Sequence, residues 1–273
     1  MTKSRKSPIK LPKRSALVGL AVVLLLVVGW CVYRLPTAAR SAAATGDKLV
    51  ANDPGKALIW YDVSDWLHPH DPVVVTKIAR LQLADGQPNA AAKTLAPVLK
   101  HPTSTSLLLD SQIKLELNQT TAAVTSAKQA GATEQLGLSL AVAGNQSDLN
   151  KLIAALPNGA LRTELTGVGE SQAYLGEILY ERGLVESANR VLTKLPQPSA
   201  QVDLLRAVVV LRLGKGSRAS LEQGRDLLTD AVAQAPAQVS LRQALESVDL
   251  KLGDKADAQA QANKIATLKS GKI

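Results

Sequence analysis

The sequence predicts an all-α protein: a succession of helical hairpins behind one N-terminal helix long enough to cross a membrane. Three observations predict it. Residues Ser15–Tyr33, SALVGLAVVLLLVVGWCVY, carry no charge. At about 1.5 Å per residue, a helix of that length matches the ~30 Å hydrocarbon core of a bilayer. From about Asp47 to Lys269, apolar residues recur at three- and four-residue spacing in runs rich in Ala, Leu, Gln, Lys and Glu, punctuated by Gly, Asn or Pro. No sustained apolar–polar alternation lies between hairpin-turn signals, so strands are not expected.

The N-terminal segment carries its own orientation signal. Lys3, Arg5, Lys6, Lys10, Lys13 and Arg14 precede the apolar run with no acid among them, whereas only Arg34 and Arg40 follow it before Asp47. The positive-inside rule puts the basic side in the cytoplasm, and Trp30 and Tyr33 suit the headgroup level at the far end. The expected organisation is a basic cytoplasmic tail over 1–14, a transmembrane signal anchor over 15–34, a linker over 35–46 and a helical repeat domain over 47–270. Pro36 is expected to break or sharply kink the helix there, and residues 37–46 suit a short linker or a loosely held first helix. This describes a single-pass protein of a bacterial plasma membrane, with its repeat domain extracytoplasmic and the bilayer as partner of residues 15–34. A cleaved signal peptide is the alternative, with Thr37-Ala38-Ala39 or Ala42-Ala43-Ala44 offered to a peptidase. The apolar core is longer than the usual ~7–15 residues of such a signal, which favours the anchor. Cys31, the single cysteine, lies in the apolar run, so the exported part has neither disulfide nor thiol chemistry.

The tail also explains the charge. The chain carries a net +9, of which the six N-terminal cations supply two-thirds. The remainder is only weakly basic and holds seven aromatics, so no basic, base-stacking surface for nucleic acid is expected.

Self-similarity sharpens the fold class. The clearest unit is 171–196, SQAYLGEILYERGLVESANRVLTKLP. Gly176 and Ala188 are small enough for two antiparallel helices to approach closely, Leu175, Leu179, Leu192 and Leu195 fill the seam, and Gly183 makes the turn. Leu175-Gly176, Gly183, Ala188, Leu192 and Pro196 together resemble a tetratricopeptide repeat. The pattern recurs at Ala57, Tyr61, Ser64 and Pro69, then at Ile78-Ala79, Gly86, Ala91, Leu95 and Pro102, with 34 residues from Ala57 to Ala91. Weaker copies cover 104–131, 132–157, 202–236 and 238–268. Residues 158–169 fit no repeat, Pro97 should bend a second helix, and about five extra residues (Lys215 to Leu221) enlarge the sixth turn. The resemblance implies an α-solenoid in which each hairpin buries its apolar face only against its neighbours.

Nothing in the pattern carries catalysis. His68-Pro69-His70-Asp71 is the one cluster resembling a metal-ligand set, but His101 is the only other imidazole, and Pro69 and Pro72 mark a loop. Gly214-Lys215-Gly216-Ser217 superficially matches a phosphate loop, yet it lacks the upstream glycine and the preceding strand. It reads as a hairpin turn. No catalytic residue, cofactor or metal is expected, and an enzyme would need a site of unrecognised type.

The resemblance implies instead a concave groove that binds a protein or peptide partner. Matching positions place Thr76, Arg80, Gln112, Glu177 and Tyr180 there. The Lys and Asn clamp by which co-chaperone relatives hold a C-terminal carboxylate is absent, its places being held by Thr76/Arg80, Leu108/Gln112, Ala173/Glu177 and Leu204/Val208. Trp60, Tyr61 and Trp66 form a second candidate: Tyr61 and one Trp are expected to pack the first hairpin, and the alternative is a membrane-proximal aromatic surface on headgroups or a membrane partner. The expected function is a membrane-tethered scaffold or adaptor for protein–protein interaction. The alternatives are a structural subunit of an envelope or secretion complex, a secreted repeat protein freed by signal cleavage, and an enzyme.

Overall fold

A computed structural model describes residues 34–196 and 199–270, so the expected span at 15–33 lies outside the described residues. Within them are fifteen α-helices and no strand. None of these helices is long and apolar enough to cross a membrane. The described chain divides within the third helix into two compact units, residues 34–78 and 79–270.

The first unit opens with α1, helical from residue 34 to 49. Of the two readings of residues 37–46, the structure shows a first helix and not a linker, with Pro36 in its first described turn. Small residues explain why. Ala39 and Ala42 are buried, and Gly46 lies so close to the Tyr61 ring that a Cβ there would sit 2.7 Å from a ring carbon. The partner is α2, Pro54–Leu67, started by Asp53, whose carboxylate accepts the Lys56 N–H. Its buried stripe is Ala57, Tyr61 and Ser64. Tyr61 donates to Asp47 Oδ1 at 2.6 Å, and Ser64 Oγ donates to the Ala39 carbonyl at 2.9 Å, so α1 and α2 run antiparallel. α3, Pro72–Ala84, contributes Lys77, which pairs with Asp47 at 2.6 Å and stands over the Tyr61 ring. The Lys77 ammonium, and then the Tyr61 hydroxyl, hold the Asp47 carboxyl below its ordinary range.

In the second unit α4 is Pro88–Leu95. Pro97 ends this helix instead of bending it, and the chain goes on as a short 3₁₀ turn, Val98–Lys100. Hairpins follow from α5 (Ser104–Glu116) with α6 (Thr120–Ala130) and α7 (Thr133–Val142) with α8 (Gln146–Ala155). Next stands α9, Ala160–Glu170, where the repeat pattern lapses. Then come α10 (Gln172–Glu181) with α11 (Val185–Leu192), α12 (Ala200–Leu213) with α13 (Arg218–Gln234), and α14 (Val239–Leu252) with α15 (Lys255–Lys269). The extra residues of the sixth hairpin add little to its turn, which is four residues, 214–217, where the other hairpins of this unit have two or three. They lengthen α13, which starts at Arg218, capped by Ser217 Oγ accepting the Ser220 N–H. Gly214 to Ser217 is therefore the turn between two helices.

The α10–α11 hairpin shows how sequence sets packing. Leu175, Leu179, Ala188 and Leu192 are fully buried, and Gly183 makes the turn at φ +75°. At Gly176 a Cβ would lie 2.5 Å from Leu192 Cδ2, a distance no carbon pair tolerates. Gly137 stands in the same relation to Leu165, but that leucine belongs to α9. The inserted helix thus packs on α7 through the contact that a repeat makes with its own second helix. Gly167 and Gly169 let α9 approach Tyr174 on one side and Gln146 and Leu149 on the other.

Gly176→Ala should destabilise the protein by about 1–3 kcal/mol through overpacking. Leu192→Ala alone should cost about 2–5 kcal/mol. The double variant should be more stable than the sum of the two losses implies, because the smaller side chain makes room for the new methyl. Chemical denaturation of all four proteins measures the coupling, and strict additivity would contradict the contact.

Candidate functional site

Of the residues that the repeat pattern placed in one groove, Thr76 belongs to the first unit and Arg80, Gln112, Glu177 and Tyr180 to the second. Thr76 is 7% exposed and its hydroxyl donates to the Pro72 carbonyl at 2.6 Å, so it faces no groove. This is a correction: matched register put it on the open face, while its side chain turns back along its own helix. Arg80 is exposed on α3. Glu177 is exposed and Tyr180 is half-buried against the core. Neither lines the cleft that holds Gln112.

That cleft lies between α5 and α7, with a volume of about 350 Å³. Leu108 and Gln112 come from α5, Ala132 to Gln135 from the start of α7, and Arg182 from the end of α10. Its walls are fixed. Gln135 Nε2 donates to Ser111 Oγ at 3.3 Å, Ser111 donates to the Ala123 carbonyl, and Ser139 donates to the Gln135 carbonyl. Arg182 is held by Glu134 at 2.8 Å and by Glu164 of α9 at 3.4 Å. Among the described residues the Gln112 amide has no partner, so a free donor and a free acceptor stand in a cleft whose only charged lining is the ion-paired Glu134 and Arg182. Such an array can hydrogen-bond peptide groups. It contains no nucleophile beside a base.

A second cleft, about 390 Å³, lies where the turns of the hairpins converge. Leu83, Val185, Leu211 and Leu213 supply its apolar lining, and Lys215 reaches Asp85 at 3.1 Å. Beside it is the buried carboxylate of Glu116. The N-terminus of α11 has no side-chain cap of its own, and Glu116, at the end of α5, accepts the N–H groups of Glu186 and Ser187, each at 3.0 Å. Arg190 then donates to the Glu116 carbonyl at 3.1 Å, to the Leu115 carbonyl and to Ser187 Oγ. Burial pushes the Glu116 carboxyl above its ordinary range, and the two N–H groups and Arg190 offset part of that.

The other candidates divide between core and surface. Tyr61 is 1% exposed and belongs to the first hairpin's core, which corrects its inclusion in an aromatic surface. The cause is the small-residue face of α1, which leaves a slot for the ring. Trp60 and Trp66 are exposed at 41% and 80%. His68 Nδ1 lies 3.8 Å from Asp71, and the His70 N–H bonds Asp65. Among the described residues no three His, Cys, Asp or Glu side chains are grouped to hold a metal ion.

No protein-family pattern matches the chain, and no curated relative does. Solved structures do. A tetratricopeptide repeat protein from Parabacteroides merdae is similar at 14% identity over 85% of this chain and 93% of that one, with a TM-score of 0.44. The TPR2AB domain of yeast Sti1, solved in complex with pHSP90, matches at 16% identity, 85% and 91% coverage and a TM-score of 0.33. Yeast Tom70 matches at 16% identity over 87% of this chain and 51% of that one, with a TM-score of 0.37. These superpositions are loose. The tetratricopeptide-like fold is read from the hairpins themselves: the glycine–leucine seam, the buried Ala188 and the turn at Gly183.

Glu116→Ala should cost about 1–3 kcal/mol, because it strands two buried N–H groups at the start of α11. Glu116→Gln tests the charge. A carboxyl raised on folding stabilises the folded state fully below its unfolded pKa of about 4.5 and loses that contribution as pH rises through the folded value. The wild type should therefore lose stability relative to the Gln variant on going from acid to neutral pH, as read by denaturation across that range. A pH-independent difference would contradict the assignment.

Proposed function

We propose that the chain is a membrane-tethered scaffold that binds a polypeptide segment on the extracytoplasmic side through the hairpins of its second unit. The observation that carries the binding part is the Gln112 cleft, open and polar, with pre-set walls and an unpaired amide. Preformed hydrogen-bonding groups on rigid helices lower the ordering cost of binding an extended chain. The tether is supported by the uncharged run Ser15–Tyr33 and by the one-sided cluster of six cations before it. A bacterial envelope is the setting these features fit, and a fixed subunit of an envelope or secretion complex is the nearest rival role.

Two measurements test this reading. A reporter enzyme active only outside the cytoplasm, fused after Ile273, should be active, and silence of that reporter beside activity of a cytoplasmic one would contradict the orientation. A photocrosslinking amino acid at position 112 in the full-length membrane protein should form polypeptide adducts that are absent with the same probe at Lys251, an exposed position on α14. Equal labelling at both positions, or none at 112, would contradict the cleft as the binding site. Several adducts of differing mass favour an adaptor, and one stoichiometric adduct favours a fixed subunit.

A further inference from the structure

α2 is apolar on two opposite sides. Ala57, Tyr61 and Ser64, at i, i+4 and i+7, form the stripe buried on α1. Ile59, Val63 and Trp66 have the same spacing half a turn away and form a second stripe, with Trp60 at its border. Ile59 is 61% exposed, and Val73, at the start of α3, is 62% exposed. Three large apolar side chains on one outward helix face, with a second tryptophan at its edge, are more than scattered surface residues.

The chain itself says what lies beside this face. α1 is described from residue 34, which directly follows Tyr33, the last residue of the apolar run. Because Ser64 bonds Ala39, α2 returns toward the end of α1 from which it came. Pro36, His68 and Val73 line one cleft, so the Trp66 end of α2 and the start of α3 lie level with the first turn of α1. The sixteen described residues of α1 rise about 24 Å, and the antiparallel α2 brings its C-terminal aromatics back over that distance. No linker separates this unit from the apolar run.

We propose that the first hairpin lies on the membrane surface, with the outward face of α2 in the headgroup layer and Trp66 its deepest residue. This inference rests on the reading of residues 15–34 as a membrane span. Tryptophan has the matching chemistry, a large apolar ring with one N–H donor, and the boundary of a bilayer supplies both environments. Lys56, exposed and paired with Asp53 at 2.9 Å, borders the stripe on one flank, and Asp62 borders it on the other with Asp65 beyond. An amphipathic face of this kind binds at the interface without crossing it. The first unit would then fix the direction in which the chain leaves the membrane.

The test uses the full-length protein in liposomes of phosphatidylcholine and phosphatidylglycerol, with tryptophan emission as readout. Trp30→Phe/Trp60→Phe leaves Trp66 as reporter, and Trp60→Phe/Trp66→Phe leaves Trp30. Trp66 emission should fall about twofold or more with lipids brominated near the headgroup, less with lipids brominated deep in the chain, and aqueous iodide should quench it weakly. If iodide quenches Trp66 as it does free tryptophan and brominated lipids do not, the face is in water and the inference is overturned. If neither quenches it, protein covers the face, whether a second copy or this chain's own N-terminal residues, and the inference is again overturned. Trp30 separates this failure from the failure of the span. Deep brominated lipid should quench Trp30 whatever Trp66 does, and Trp30 left unquenched would overturn the span reading together with this one.

Discussion

The structure depends on the close approach of helices at positions where one partner lacks a side chain. Gly46 against Tyr61, Gly137 against Leu165, Gly167 against Tyr174 and Gly176 against Leu192 are one device used four times. In each, a Cβ would fall within 2.8 Å of a buried or half-buried ring or methyl carbon. At such distances repulsion is steep, so these sites fix the spacing of their helices, while the leucines and tyrosines that fill the gaps supply the apolar burial. Gly224 against Leu211 places the small residue on the second helix of a pair instead of the first, so the requirement is for a gap, whichever helix supplies it. A chain without phenylalanine can build a dense core in this way, because backbone-to-side-chain contact does the filling that large aromatics would otherwise do.

The same device decides what could be read from sequence. The α10–α11 hairpin was legible because its glycine, turn and leucines fall within one short segment at helical spacing. α1 was not, since Ala39, Ala42 and Gly46 read as linker composition until Tyr61 of the next helix is set opposite them, and Pro36 argued against a helix. α9 lay within the expected helical run but matched no repeat, and Gly167 and Gly169 each lower its helix propensity by about 1 kcal/mol. Tertiary contact with Tyr174, Gln146 and Leu149 reverses that preference. Leu161, Leu165 and Val168 carried the weaker signal that was available, three apolar residues on one helix face.

The candidate site was less legible than the fold, and for a different reason. Gln112 could be placed by repeat register, but the groups that shape its surroundings are joined over long separations in sequence. Arg182 meets Glu164 and Glu134 from two other helices, and Glu116 caps a helix that begins some seventy residues later. No local pattern encodes such pairs. Register also misplaced Thr76, because a hydroxyl that can bond its own helix backbone is free to leave the open face. Electrostatics in the second unit thus work mainly to join helices, and the Gln112 cleft is open because its polar neighbours are already engaged with one another.

Helical order at the first helix and at the helix that fits no repeat is the most direct check on this account. Amide hydrogen exchange of the full-length protein in membranes reads both at once, since residues 34–49 and 160–170 fall in separate peptides. Both should be protected at least as well as α14 and α15, because each is held by small-residue contacts on more than one turn. Exchange of residues 34–49 at the rate of an unstructured chain would show a linker there, and the hairpin on which the first unit is built would not exist.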